Sequence, residues 1–168
     1  DLKHRVSELR RVAFRHALQA VGKTGSPVDA LADEAFAVFW RCRQEVDVFP
    51  YTVPLLQHLS QRYVLAALSN GNACLKAVGL AEHFSFHYAG EEFSAAKPAP
   101  DMFVAALQRT GIAAHEALHI GDHPVDDISG AKNVGMKTLW VNFSGKQWPL
   151  DSPSPDYTVT ALEQIARL

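Results

Sequence analysis

The sequence predicts an α/β fold, a doubly wound parallel sheet with a helical segment ahead of it. Three observations carry that expectation. From about Val46 onward, short apolar runs alternate with stretches of helical periodicity. Tyr63–Leu68 is nearly continuous in apolar residues, as a strand buried on both faces of a parallel sheet requires. Polar, turn-forming clusters follow two of the expected strands, where open parallel sheets gather their ligands.

The 168 residues suffice for one ordinary domain, or one domain and a small appendage. With 48% apolar and 20% charged residues, a disordered polypeptide is excluded and a sizeable core is allowed. Sixteen Lys+Arg against eighteen Asp+Glu, a net charge of −2, argue against a general nucleic-acid binder. The longest apolar stretches are about six residues and are cut by polar ones, too short for a membrane span. Asp1–Arg5 is charged and carries no apolar core of a secretory leader. Cys42 and Cys74 make no disulfide framework, so a reducing, cytoplasmic setting is expected.

Leu2, Val6, Leu9, Ala13, Ala17 and Ala20 recur at helical spacing, with Arg5, Arg10, Arg11 and Arg15 mostly on the other side and Gly22 and Gly25 ending the helix. A second helix follows Pro27, with Val28, Leu31, Ala35, Val38, Phe39 and Cys42 as its apolar face. A helix over Pro54–Gln61 leads into the strand Tyr63–Leu68, the turn Ser69-Asn70-Gly71-Asn72 and a helix to Gly79. Phe86–Ala89 is the next expected strand. A helix over Pro100–Thr110, a strand at Ala117–Ile120, a helix over about Val125–Val134 and a strand at Thr138–Val141 follow. Asp151–Pro155 is a loop before a short strand at Tyr157–Val159 and a last helix.

Three clusters fit the needs of phosphoryl transfer: a cation, donors to the phosphoryl oxygens, and carboxylates to hold Mg²⁺. Ser69 and Asn70 supply a hydroxyl and an amide after a strand. Lys97 supplies a point charge in Ala96-Lys97-Pro98-Ala99-Pro100, where the prolines restrict the backbone that aims it. Asp122 is a hard oxygen ligand at a strand end, and Asp126 and Asp127 open the following helix, where acids suit the dipole. Each cluster alone also reads as a plain turn, a solvated lysine or an N-cap; their order and spacing together are far more specific.

Those residues resemble the haloacid dehalogenase-like (HAD) hydrolase superfamily, in its phosphatase branch. Val64–Asn70 resembles the family's second motif, a strand ending in Ser or Thr. Lys97-Pro-Ala-Pro-Asp-Met-Phe103 resembles the third, and Gly121-Asp122-x4-Asp127 with Gly130-Ala131-x3-Gly135 the fourth. The wording Ser-Asn-Gly-Asn and Gly-Asp-His-Pro-x-Asp-Asp is similar to the branch that includes flavin mononucleotide phosphatases. The resemblance implies a Rossmann-type core over residues 46–168 and part of a helical cap over residues 1–45. It implies that Ser69 and Asn70 bind the phosphoryl group, that Lys97 neutralises charge on nucleophile and phosphate, and that Asp122 is a Mg²⁺ ligand. Asp127 would bind the metal through water or orient Lys97, and Asp126 is the weaker candidate of that pair. The implied activity is Mg²⁺-dependent hydrolysis of a small phosphorylated metabolite, with no nucleic-acid or membrane partner.

The family's first motif, Asp-x-Asp, supplies the nucleophile that forms an aspartyl-phosphate, and the general acid–base. No two Asp residues stand two apart in this sequence, and Asp47 has no partner at that spacing. The expectation is therefore a core lacking its first strand, with the nucleophilic Asp upstream of Asp1 and these 168 residues inactive by themselves. In the family that strand lies between those ending at Ser69 and Asp122. A haloacid dehalogenase and a non-catalytic, truncated domain are the alternatives; the first needs no Mg²⁺, so Asp122 and Asp127 argue against it.

Other groups have competing readings. His83/His87 and His115/His119 stand four apart, a spacing that binds Zn²⁺ on a helix, but ordinary histidines are preferred. His123 either meets substrate or the metal's water shell, or fills a turn. The Arg cluster either attracts an anionic substrate or is a solvated helix face. Trp40, Phe36 and Phe39 either stack on a ring or pack in a core, and Trp148 reads as loop packing.

Overall fold

A computed structural model describes residues 5–167. The chain opens with helices α1 (Val6–Ala20) and α2 (Pro27–Gln44), the second started by Pro27 in its first turn. They pack on each other, only partly through the expected faces: Val28, Ala35 and Phe39 of α2 turn inward as expected. Leu9, Ala13, Ala17 and Ala20 of α1 are exposed, while Arg10, Arg11, Phe14, Arg15 and Leu18 are the half-buried side. Arg11 lies over the Phe36 ring at 4.0 Å and pairs with Asp33, Arg15 pairs with Asp29 at 2.6 Å, and Phe14 meets Phe39 edge-on. Guanidinium groups that lie on aromatic rings and pair with acids of α2 seal this contact better than small alanines do. On α2 the buried stripe is Val28, Ala32 and Phe36, one turn apart each, and Leu31, Val38 and Cys42 are exposed. Leu2 of the expected face lies outside the described residues.

Helix α3 (Thr52–Ser60) leads to strand β1 (Ala66–Ser69), and β2 (Phe86–Ala89) pairs with it in parallel, Leu68 opposite Tyr88. The expected helix up to Gly79 is instead a series of turns; its start, Asn72-Ala73-Cys74, is tied by side-chain bonds to α1 and α2. The strand expected from Tyr63 starts only at Ala66, because the chain is still leaving α3, with Tyr63 N–H bonded to Leu59. Helix α4 (Asp101–Thr110) then leads to β3 (Leu118–Gly121). A π-helical turn, Pro124–Ser129, runs into the short α5 (Gly130–Asn133), where one regular helix was expected. Strands β4 (Lys137–Val141) and β5 (Tyr157–Val159) complete a second parallel sheet, ordered β3-β4-β5. The last helix is a 3-10 segment, Leu162–Arg167.

The α/β class and the parallel strand pairing are as expected, but the sheet is in two parts, β1-β2 and β3-β4-β5. Leu55, Leu139, Val159 and Ile165 form the core beneath β4 and β5, and Phe103, Ala131 and Met136 join α4 to α5. Among the described residues no strand joins β1 to β3. Their carboxyl ends line one cleft of about 380 Å³ with Lys97 and Asp122. No described helix is long and apolar enough to cross a membrane.

Candidate active site

The cleft brings together every site residue the sequence singled out: Ser69 and Asn70 from the end of β1, Lys97, Asp122 from the end of β3, and Asp126 and Asp127 from the π-helical turn. Residues up to 56 positions apart meet in one hydrogen bond, Asn70 Nδ2 to Asp126 Oδ2 at 3.3 Å.

Lys97 is the hub. Its Nζ donates to Asp127 Oδ1 at 2.6 Å and to the Leu68 carbonyl of β1 at 2.7 Å, with both charged side chains only 8% exposed. Asn70 fixes the lysine backbone from both sides: its Nδ2 donates to the Lys97 carbonyl and its Oδ1 accepts from the Lys97 N–H, each at 2.8 Å. Such a doubly bonded amide leaves Asn70 little freedom, so its first role is to carry Lys97.

Asp127 is saturated. Oδ1 faces Lys97 and His119 Nε2 (3.1 Å), and Oδ2 accepts the His123 backbone N–H at 2.9 Å. Burial pushes its pKa up, but the His119 bond, the Lys97 charge and bond, and the His123 N–H outweigh it and hold the carboxyl well below its usual range. The spacing Gly121 to Asp127 has a steric reason: a side chain on Gly121 would run into the Asp127 carboxylate. Gly130 likewise leaves space for the Phe103 ring and Pro98.

His119, expected from its sequence to be an ordinary histidine, belongs to this network. It is buried on β3, set edge-on to Phe103, and touches the acid that holds Lys97. Its strand position two residues before Gly121 was the available signal, since alternate residues of a strand share a face.

Asp122 differs from Asp127. It is exposed, and among the described residues no hydrogen bond engages its carboxylate. Its backbone carbonyl accepts the Trp140 indole N–H at 2.9 Å. A free, hard oxygen donor beside Asp126 suits a divalent cation such as Mg²⁺, and the described residues contain no group of three His, Cys, Asp or Glu side chains that would enclose one. His123 Nδ1 accepts the Asp126 N–H at 3.0 Å, so that ring nitrogen caps the turn.

Ser69 Oγ accepts the Gly71 N–H at 3.0 Å, which aims the hydroxyl and leaves its proton to be donated. Beyond this turn, Trp40, Asn72, Phe84 and Phe86 line a second cavity of about 570 Å³ between α2 and the sheet β1-β2. Trp148 packs edge-on to Trp140.

The haloacid dehalogenase-like hydrolase family matches this chain over residues 3–135. Phosphoserine phosphatase of Thermus thermophilus is 33% identical over 162 residues, covering 93% of this chain and 63% of that protein. 5-Amino-6-(5-phospho-D-ribitylamino)uracil phosphatase YigB of Escherichia coli is 29% identical over 141 residues, covering 84% and 59%. The chain thus spans about six-tenths of the length of these two relatives. A crystal structure titled 2-haloacid dehalogenase, from Pseudomonas syringae pv. Tomato DC3000, superposes with a TM-score of 0.93 at 40% identity, covering 99% of this chain and 72% of that one. With the fold, the cleft and these matches in agreement, the chain belongs to the haloacid dehalogenase-like hydrolase family.

Proposed function

We propose that the whole protein is a Mg²⁺-dependent phosphatase of small phosphorylated metabolites, working through an aspartyl-phosphate. The nucleophilic Asp belongs, in this reading, to a segment outside the 168 residues, on a strand placed between β1 and β3. Residues 1–45 act as part of a cap over the site and residues 46–168 as the catalytic core. The single observation that carries the reading is the Lys97 ammonium, held between the Asp127 carboxylate and the Leu68 carbonyl in the cleft that Ser69 and Asp122 also line.

In the proposed reaction the Ser69 hydroxyl and Lys97 take the phosphoryl oxygens, opposing the repulsion between a dianion and a carboxylate nucleophile. Asp127 holds Lys97 aimed. Asp122 would hold a Mg²⁺, which would supply positive charge to the transferring group. The free cysteines suit a reducing, cytoplasmic setting.

A 2-haloacid dehalogenase is the second reading, favoured by the 40% identity to the structure of that title. Asp122 argues for the phosphatase: a carboxylic acid substrate brings no dianion to neutralise, and an unengaged acid in the cleft would repel it. Turnover of a generic phosphate ester by the whole protein, lost on chelation and restored by Mg²⁺, is the expected result. Halide release from a 2-haloacid, unaffected by chelation and without phosphatase activity, would replace it. Inertness to both substrates would leave a non-catalytic domain.

A further inference from the structure

Asn72 ends the turn Ser69-Asn70-Gly71-Asn72 that follows β1, and α1 holds both sides of its amide. Its Nδ2 donates to Ser7 Oγ at 3.0 Å, and its Oδ1 accepts from Arg10 Nη1 at 3.2 Å. Ser7 and Arg10 stand one turn apart on α1, so one side chain engages a single ridge of that helix. Arg10 also lies over the Phe39 ring of α2 at 4.9 Å, so the amide is held through both helices.

On its other side Asn72 adjoins the residue that aims Ser69. The Gly71 N–H donates to Ser69 Oγ at 3.0 Å. Glycine has no side chain to stiffen the turn, so the course of Gly71 depends on what fixes its neighbours. Asn70 is fixed by its two bonds to the Lys97 backbone, and Asn72 by α1. A second bond seats the same helix end. Glu91 Oε1 accepts the Ser7 N–H at 2.6 Å, and Glu91 follows β2, whose last residue Ala89 lies opposite Ser69 in the parallel register. Ser7 thus bridges the segments that leave the carboxyl ends of β1 and β2.

We propose that Asn72 is a positioning residue, which transmits the seating of α1 on the sheet to the Ser69 hydroxyl. The proposal rests on the phosphatase reading and adds to it a dependence of the phosphoryl-binding turn on the helical segment. With Asn72 bonded to Ser7 and Arg10 the hydroxyl is aimed; without those bonds the Gly71 N–H drifts and the hydroxyl loses its direction. The helical segment then tunes transfer without placing a group of its own on the phosphate.

The test is steady-state hydrolysis of p-nitrophenyl phosphate by the whole protein and its N72A, S7A, S69A and N72A/S69A variants. Thermal midpoints are measured alongside, and rates are taken well below the lowest of them, so that loss of fold does not enter the comparison. N72A is expected to lower kcat roughly 10- to 100-fold, the loss that a small misplacement of a reacting group brings, with a smaller change in KM. S7A, which removes one of the two bonds, should lower kcat by less. In the S69A background N72A should cost little more, because the hydroxyl through which it acts is gone. A fall in kcat that is the same with and without the Ser69 hydroxyl overturns the proposal and makes Asn72 a residue of folding. Wild-type kcat in N72A overturns it too, and both results leave the phosphatase reading standing. A wild-type protein inert toward the ester overturns both.

Discussion

The indole N–H of Trp140 donates to the backbone carbonyl of Asp122 at 2.9 Å, tying β4 to the residue that follows β3. Trp140 is buried, so the bond is shielded from water, and it fixes the main chain from which the Asp122 carboxylate enters the cleft. Replacing Trp140 with Phe removes the donor and keeps most of the volume. About 1–1.5 kcal/mol of stability should be lost in denaturant unfolding, with weaker Mg²⁺ dependence of turnover in the whole protein. Unchanged Mg²⁺ dependence would show that the bond serves folding alone.

Asp122→Asn keeps the shape of the side chain and removes its charge. Because the side chain is exposed and unengaged, the unfolding midpoint should hardly move, while Mg²⁺-dependent turnover is abolished. Undiminished turnover in that variant would falsify the metal assignment.

Lys97 and Asp127 form a buried pair at 2.6 Å, and cutting either side strands the other charge. Lys97→Met and Asp127→Asn should each cost about 3–5 kcal/mol, and the double variant clearly less than the sum. Additivity in that cycle would mean that the two act independently.

Acid should act through Asp127. Its folded pKa is lowered, so the unfolded chain takes up the proton first as pH falls. The stabilisation is complete above the unfolded value of about 4 and is lost progressively as pH drops from there toward the lower folded value. A plot of unfolding free energy against pH should slope downward below about pH 4 in the wild type and be flatter in Asp127→Asn. Equal slopes would assign acid sensitivity to other carboxylates.

His119→Phe leaves the ring contact with Phe103 and removes the bond to Asp127. Lys97 would lose part of the support of its partner acid, and kcat should fall several-fold while KM stays close to wild type, because His119 reaches a ligand only through Asp127 and Lys97. The pH–rate profile reports the same coupling. A variant with wild-type kcat and profile would make His119 a packing residue.

Much of this was legible in the sequence. Strands Phe86–Ala89 and Tyr157–Val159 were placed to the residue, since short apolar runs between turn signals leave little freedom. The gathering of Ser69, Lys97, Asp122 and Asp127 was legible because parallel strands put their carboxyl ends on one edge. The burial of α1 was not. Spacing identified its alanine face, but packing chose the arginine face, because the partner helix offered the Phe36 and Phe39 rings and the acids Asp29 and Asp33. His119 is legible only by position: it shares a face of β3 with Gly121, but a histidine there is a common residue until its contact with Asp127 gives it a task.

The place of Lys97 between the two sheets has a further consequence. One ammonium joins the Leu68 carbonyl of β1 to Asp127 beyond β3, and Asn70 joins the end of β1 to Asp126. A substitution at this junction therefore reaches both sides of the cleft at once, where a displacement of about 1 Å is enough to cost orders of magnitude in rate.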